Sequence, residues 1–138
     1  FSSELAPRFL ESAGITAPMR VLDVGCGPGA LTSALVQRLG AKSVAACDPS
    51  PVFVADCAER NPGVIVKPAL MESLPFEDDI FDAALTQLVL HFVGDPPKGV
   101  SEMMRVTRSG EGRTHGTLRV SRPHERARGR DHRLGQIR

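Results

Sequence analysis

No apolar run in these 138 residues approaches the ~20 needed to cross a bilayer, so no transmembrane helix and no membrane partner are expected. No secretory signal precedes residue 21, and the cytoplasm is the expected compartment. Cysteine is scarce. Cys26, Cys47 and Cys57 are an odd number, which argues against a disulfide framework, and Cys47 and Cys57 read as small core residues. No His/Cys spacing points to a metal, and there is no internal repeat. The chain as a whole is 41% hydrophobic, which suits one soluble globular domain.

What is present is concentrated in VLDVGCGPGA, residues 21 to 30. Val21, Leu22 and Val24 are strand formers in a short apolar run. Gly25, Gly27 and Gly29 allow a sharp turn and let a ligand approach without meeting a Cβ. ALTSALVQRL, residues 30 to 39, then spaces Leu31, Ala34, Leu35 and Leu39 as a helix does, with Gly40 as its stop. Strand, glycine loop and helix N-terminus form a nucleotide-type cradle.

Charge discriminates between cradle ligands. Gly25, Gly27 and Ala30 formally fit the G-x-G-x-x-G/A dinucleotide fingerprint, which serves a doubly negative pyrophosphate. Asp23 stands two residues before the first glycine, where a fixed carboxylate would repel a pyrophosphate by roughly a few kcal/mol if partly desolvated. S-adenosylmethionine carries an ammonium and a sulfonium and no phosphate, so Asp23 favours it over NAD. A second strand, SVAACDPS over residues 43 to 50, ends at Asp48, where a carboxylate can accept two ribose hydroxyls. An NAD-binding dehydrogenase module is the alternative that Asp23 disfavours.

VLDVGCGPG, CDPS, LPFEDDIFD and EMMRVTRSG, in this order, resemble a class I S-adenosylmethionine-dependent methyltransferase of the type 11 subgroup, which includes ubiquinone and menaquinone C-methyltransferases. The resemblance covers about residues 5 to 110. It implies that Asp23, Gly25 and Gly27 hold the methionine part of the cofactor, that Asp48 takes the ribose, and that Leu70 and Met71 contact adenine. Many relatives have Asp where this chain has Leu70. Leu70 cannot accept from the adenine amino group, so adenine recognition is expected to lean on backbone and packing. The full expected cofactor-binding set is Asp23, Gly25, Cys26, Gly27, Gly29, Asp48, Pro49, Leu70, Met71 and Gln87. The sulfonium already activates the methyl group, so transfer to a small-molecule acceptor mostly requires positioning. Gln87 and His91 face the expected reaction end, but no catalytic base is named. Glu102 is expected to pair with Arg105 at i,i+3 rather than to do chemistry.

The expected fold is α/β: a Rossmann-like parallel sheet with helices on both faces. A first helix capped by Ser2 or Ser3 runs to Ala13. Asn61-Pro62-Gly63 is a turn before a third strand at Val64 to Val66, Glu77 to Asp79 lie in an exposed loop, Phe81 to Gln87 form a fourth strand, and Pro97 to Val106 a helix. Four of the seven strands the family uses are identifiable, in the order 3-2-1-4. The fourth is expected at an open edge, inviting aggregation or oligomerisation.

Residues 1 to 110 form the expected cofactor-binding domain, with 9 basic and 13 acidic side chains; residues 111 to 138 have 8 and 3. That tail contains three of the four His and no aromatic residue. It shows no helical or strand period and is expected to be a disordered basic tail. Truncation or a frameshift accounts for it best: in one of the codon choices open to His115-Gly116-Thr117, a shifted frame reads Trp-Asp, a pair frequent at that distance in relatives. The chain also begins at Phe1, as a fragment or processed product would, and is expected to turn over little or not at all. The rival reading is a non-catalytic protein whose basic tail binds nucleic acid, but no aromatic residues interleave the arginines for base stacking.

Overall fold

A computed structural model describes residues 5–87 and 93–108 and, as backbone, the strands Thr117–Val120 and His132–Arg133. The chain folds as α1 (Leu5–Ser12), β1 (Val21–Val24), α2 (Ala30–Leu39), a 3-10 turn (Ala41–Ser43), β2 (Val44–Asp48), α3 (Pro51–Arg60), β3 (Ile65–Pro68), β4 (Ala83–Thr86), α4 (Pro96–Val106), β5 (Thr117–Val120) and β6 (His132–Arg133). The sheet order is β3-β2-β1-β4-β5-β6. Its first four strands are mutually parallel and stand in the expected 3-2-1-4 order.

The central strands are buried at every residue, which is why they read as near-continuous apolar runs rather than alternations. Leu22 and Val24 point to one face, where they pack with Ala45, Ala84, Met103 and Val106 beneath α4. Val21 points to the other, with Leu10, Leu31, Leu35, Val44 and Leu85 beneath α1 and α2. Helices therefore cover both faces, as an all-parallel core requires.

Register positions the site. Val21 lies opposite both Val44 and Ala83, and Asp48 opposite Pro68. The strands thus end at nearly one level. The glycine loop, Pro49, the segment after Pro68 and Gln87 all emerge along the same carboxyl edge.

Two expectations are corrected. The fourth strand is shorter than Phe81 to Gln87, because Phe81 bridges to Thr107 and the Asp82 N–H donates to the Arg20 carbonyl at 2.7 Å. Nor does β4 form an edge: β5 pairs with it in parallel, Ala83 opposite Thr117, and β6 adds antiparallel to β5. An unpaired β4 presents a row of N–H and C=O groups that a backbone can satisfy without any apolar side-chain pattern. The open-edge route to oligomers therefore loses its basis at β4. The expected boundary at residue 110, His91, the helix caps at Ser2 and Ser3, and the tail apart from β5 and β6 lie outside the described residues.

Candidate functional site: a glycine cradle at the carboxyl edge

The turn after β1 is held by backbone bonds. The N–H groups of Gly25 and Cys26 both donate to the Cys47 carbonyl, at 2.8 and 2.9 Å. Gly27 has φ +55° and open space where a Cβ would stand, so the backbone there is free to meet a ligand. Gly29 is glycine for another reason. At φ +102°, a Cβ would lie 2.9 Å from both Asn61 Nδ2 and Cys57 Sγ. Its bareness serves the packing of α3 against the loop.

Asp48, 6% exposed, joins this loop to the next one. Its Oδ2 accepts from the Gly27 N–H at 2.9 Å and its Oδ1 from the Ser50 N–H at 2.8 Å. Its carbonyl accepts from the Ala69 N–H at 3.1 Å. One residue thus ties together the loops following β1, β2 and β3.

Asp23 is 1% exposed and lies beneath the loop, where its Oδ2 accepts from Thr32 Oγ1 on α2 at 2.7 Å. Burial pushes its carboxyl up to about 7, against the Thr32 bond that lowers it; Cys57 and Asp48 add to the rise. Near neutral pH, Asp23 is only partly charged. Its repulsion of a pyrophosphate is accordingly weaker than its place in the sequence implies. The neighbouring Cys57, together with burial, pushes the Cys26 thiol up.

A small cleft opens beside the cradle. Of the expected residues it brings together Gly25, Pro49, Leu70 and Met71, and it adds Glu72 and Gly94. Leu70 is 58% exposed. Met71 is buried, with its thioether beneath Gly99 of α4, so it presents mainly backbone. Cys26, Gly27, Gly29 and Asp48 belong to the cradle, and Asp23 lies below it. Gln87 follows Thr86, which pairs with Val24, and so stands next to Gly25. Among the described residues, its buried Nε2 has no hydrogen-bond partner.

Three contributors carry no sequence signal. Thr32 is visible only as a helix residue, yet it holds Asp23. Asn61 reads as a turn residue, yet its buried amide donates to the Cys57 carbonyl at 3.1 Å and accepts from Ser33 Oγ at 2.9 Å. Glu72 is one acid among many. Glu102 pairs with Arg105 at 2.6 Å, as expected. Arg105 also binds Asp78 at 2.7 Å and the carbonyls of Leu74 and Phe76, so the acidic loop is anchored. That pairing holds the Glu102 carboxyl below its ordinary range. Among the described residues no cluster of three or more His, Cys, Asp or Glu could hold a metal, and no helix is long and apolar enough to cross a membrane.

Residues 22–112 match the family model described as a methyltransferase domain. The chain belongs to the methyltransferase-domain family. It is 38% identical over 93 residues to a probable phthiotriol/phenolphthiotriol dimycocerosates methyltransferase of Mycobacterium ulcerans, covering 66% of this chain and 36% of that protein. It is 33% identical over 111 residues to a chloroplastic 2-methyl-6-phytyl-1,4-hydroquinone methyltransferase of Oryza sativa subsp. japonica, covering 75% and 32%. A solved S-adenosylmethionine-dependent methyltransferase of Thermotoga maritima superposes with a TM-score of 0.67 at 25% identity, covering 87% and 51%. The chain spans about a third of the length of the curated relatives it matches. The methyltransferase domain uses S-adenosylmethionine, and the residues here suit that cofactor. Gly27 leaves room for a close backbone approach, Asp48 offers a carboxylate at the end of β2, and Gln87 offers an amide donor without a partner among the described residues.

Proposed function

We propose that this chain is the cofactor-binding part of an enzyme that transfers the methyl group of S-adenosylmethionine to a small-molecule acceptor. The observation that carries the reading is Asp48. Its two oxygens are pinned by N–H groups of successive loops, which fixes the carboxylate in place with lone pairs left to accept the ribose hydroxyls. The bare backbone of Gly25 and Gly27 would take the methionine end, with Cys26 and Gly29 shaping the loop. Pro49, Leu70 and the Met71 backbone would pack the adenine. Gln87 would donate its free N–H to an oxygen of cofactor or acceptor. Asp23 would act from below, by anchoring α2 and, when ionised, by attracting the ammonium.

The bound cofactor supplies an activated methyl group. The chain's own task is then to orient it and to keep the approach in line, where a 1 Å error can cost ~100-fold. The two curated relatives are named for phthiotriol/phenolphthiotriol dimycocerosates and for 2-methyl-6-phytyl-1,4-hydroquinone, and an organic small-molecule acceptor is the class we carry to this chain.

Calorimetric titration tests the assignment. S-adenosylmethionine or S-adenosylhomocysteine should bind and NAD should not. NAD binding as tight as either would overturn it.

A further inference from the structure

The three cysteines divide between the two faces of the sheet. Cys47 packs with Leu22 and Val24 on the α4 face. Cys26 and Cys57 pack with Ala46 on the other face, where their side chains are neighbours. All three are free thiols. The neighbouring pair joins two parts of the fold. Cys26 opens the glycine turn, its carbonyl accepting from the Gly29 N–H at 3.1 Å. Cys57 lies on α3, with its Sγ 2.9 Å from where a Cβ on Gly29 would stand.

The two thiols are chemically unlike. Cys57 Sγ stands 3.5 Å from Thr32 Oγ1, and the Asn61 amide donates to it at 4.0 Å. Its thiol is lowered to about 6, chiefly by Cys26, against burial, with Thr32, Asn61 and Arg60 adding to the fall. Burial instead pushes the Cys47 thiol up to about 12. The thiolate is the form that attacks an oxidant, so Cys57 is the nucleophile and Cys26 the partner beside it. Cys57 is 0% and Cys26 7% exposed, so an oxidant of about the size of water, hydrogen peroxide, suits the pair. Bonding would draw the two sulfurs well inside van der Waals contact. α3 is fixed by its own helical bonds, so the glycine loop is the part that yields. The residue displaced next is Gly27, whose N–H donates to Asp48 at 2.9 Å.

We infer that Cys26 and Cys57 form a reversible disulfide when the chain meets hydrogen peroxide, and that this bond weakens the hold of the cradle on its cofactor. The Cys57 thiolate attacks one peroxide oxygen and the O–O bond breaks, leaving a sulfenic acid and hydroxide. The Cys26 sulfur then attacks the Cys57 sulfur and expels the second hydroxide. The protons of the two thiols leave with the hydroxides, so the cysteines lose two electrons and the peroxide becomes two waters. A thiol reductant reverses the bond by exchange. The inference rests on the cofactor reading above and adds a redox control of that site.

The experiment treats the full chain with hydrogen peroxide, blocks remaining thiols by alkylation, and digests without reduction using trypsin and an endoprotease that cuts before Asp48 and Asp56. That digestion separates Cys47 from Cys57. Mass spectrometry should show a Cys26–Cys57 cross-link, two hydrogens lighter than the separate peptides, with Cys47 unlinked. Calorimetric titration with S-adenosylhomocysteine should show affinity falling about tenfold or more on oxidation and returning with a thiol reductant. Cys57→Ser should bind as the reduced wild type does and lose the response to peroxide, while Cys47→Ala should keep it. No Cys26–Cys57 link, a link that leaves affinity unchanged, or a loss of affinity that persists in Cys57→Ser would overturn the control and leave the cofactor reading standing. A reduced wild type that does not bind S-adenosylhomocysteine would overturn both.

Discussion

At the scale of single residues, Asp23 is where chemistry and stability meet. Its carboxyl titrates near 7 in the folded chain, against an ordinary value of 3.8. Between those values the folded state holds a proton that the unfolded state has released. Stability therefore falls as pH rises through that window, by up to about 4 kcal/mol for a shift of roughly three units. Asp23→Asn removes the titration and keeps an oxygen for Thr32. Denaturant melts from pH 2.5 to 8 should show wild type losing stability relative to Asp23→Asn as pH rises, with the difference flattening below the ordinary value of 3.8. A constant difference across the range would show that Asp23 titrates normally. That Asp23 belongs to the cradle's strand was legible from its place before Gly25. That it lies under the cradle was not, because its partner Thr32 is defined only once α2 folds back over β1. Glu72 was hidden for a similar reason: it lines the cleft only once the loop after β3 lies against Gly94.

At the scale of elements, the loop between β1 and α2 is built jointly with α3. The sequence marks its three glycines alike, as room for a ligand, but the fold divides them. Gly27 faces open space, while Gly29 faces Cys57 and Asn61. Gly29→Ala should therefore cost stability whether or not ligand is present, through a strained positive φ and a contact with the Cys57 Cα at 3.2 Å. A loss of about 2–3 kcal/mol in chemical denaturation is expected. Gly27→Ala meets no neighbour, so its cost should be confined to φ, and its larger effect should fall on cofactor affinity. Equal destabilisation by the two substitutions would contradict this division. The strand–loop–helix unit was readable because its signals are local: a β-branched run, glycines, then helical spacing. β5 was unreadable because the tail lacks alternation and its pairing depends on what β4 leaves unsatisfied. The anchoring of the acidic loop was equally unreadable, since Arg105 lies 27 residues from Asp78.

For the whole molecule, the level register of β1, β2 and β4 has a consequence in time. The bond from the Gly27 N–H to Asp48 closes a loop of 21 residues, whereas the bond from the Arg20 N–H to Asp82 closes one of 62. The longer closure costs about 1 kcal/mol more chain entropy before any contact offsets it, and non-local parallel pairing is slow. Assembly should then proceed outward from one side. β1, β2 and β3 form a nucleotide-facing half while β4 is still unattached, and β4 joins afterwards. In pulse-labelled hydrogen exchange during refolding, amides of Ala45 to Cys47 should become protected before those of Ala84 and Leu85. Simultaneous protection would mean that the sheet condenses as a single unit. The same order holds on a ribosome, where Asp48 clears the exit well before Ala83. A growing chain can complete the Asp23–Thr32 and Gly27–Asp48 links, and with them the ribose side of the cradle, before the wall carrying Gln87 has been synthesised.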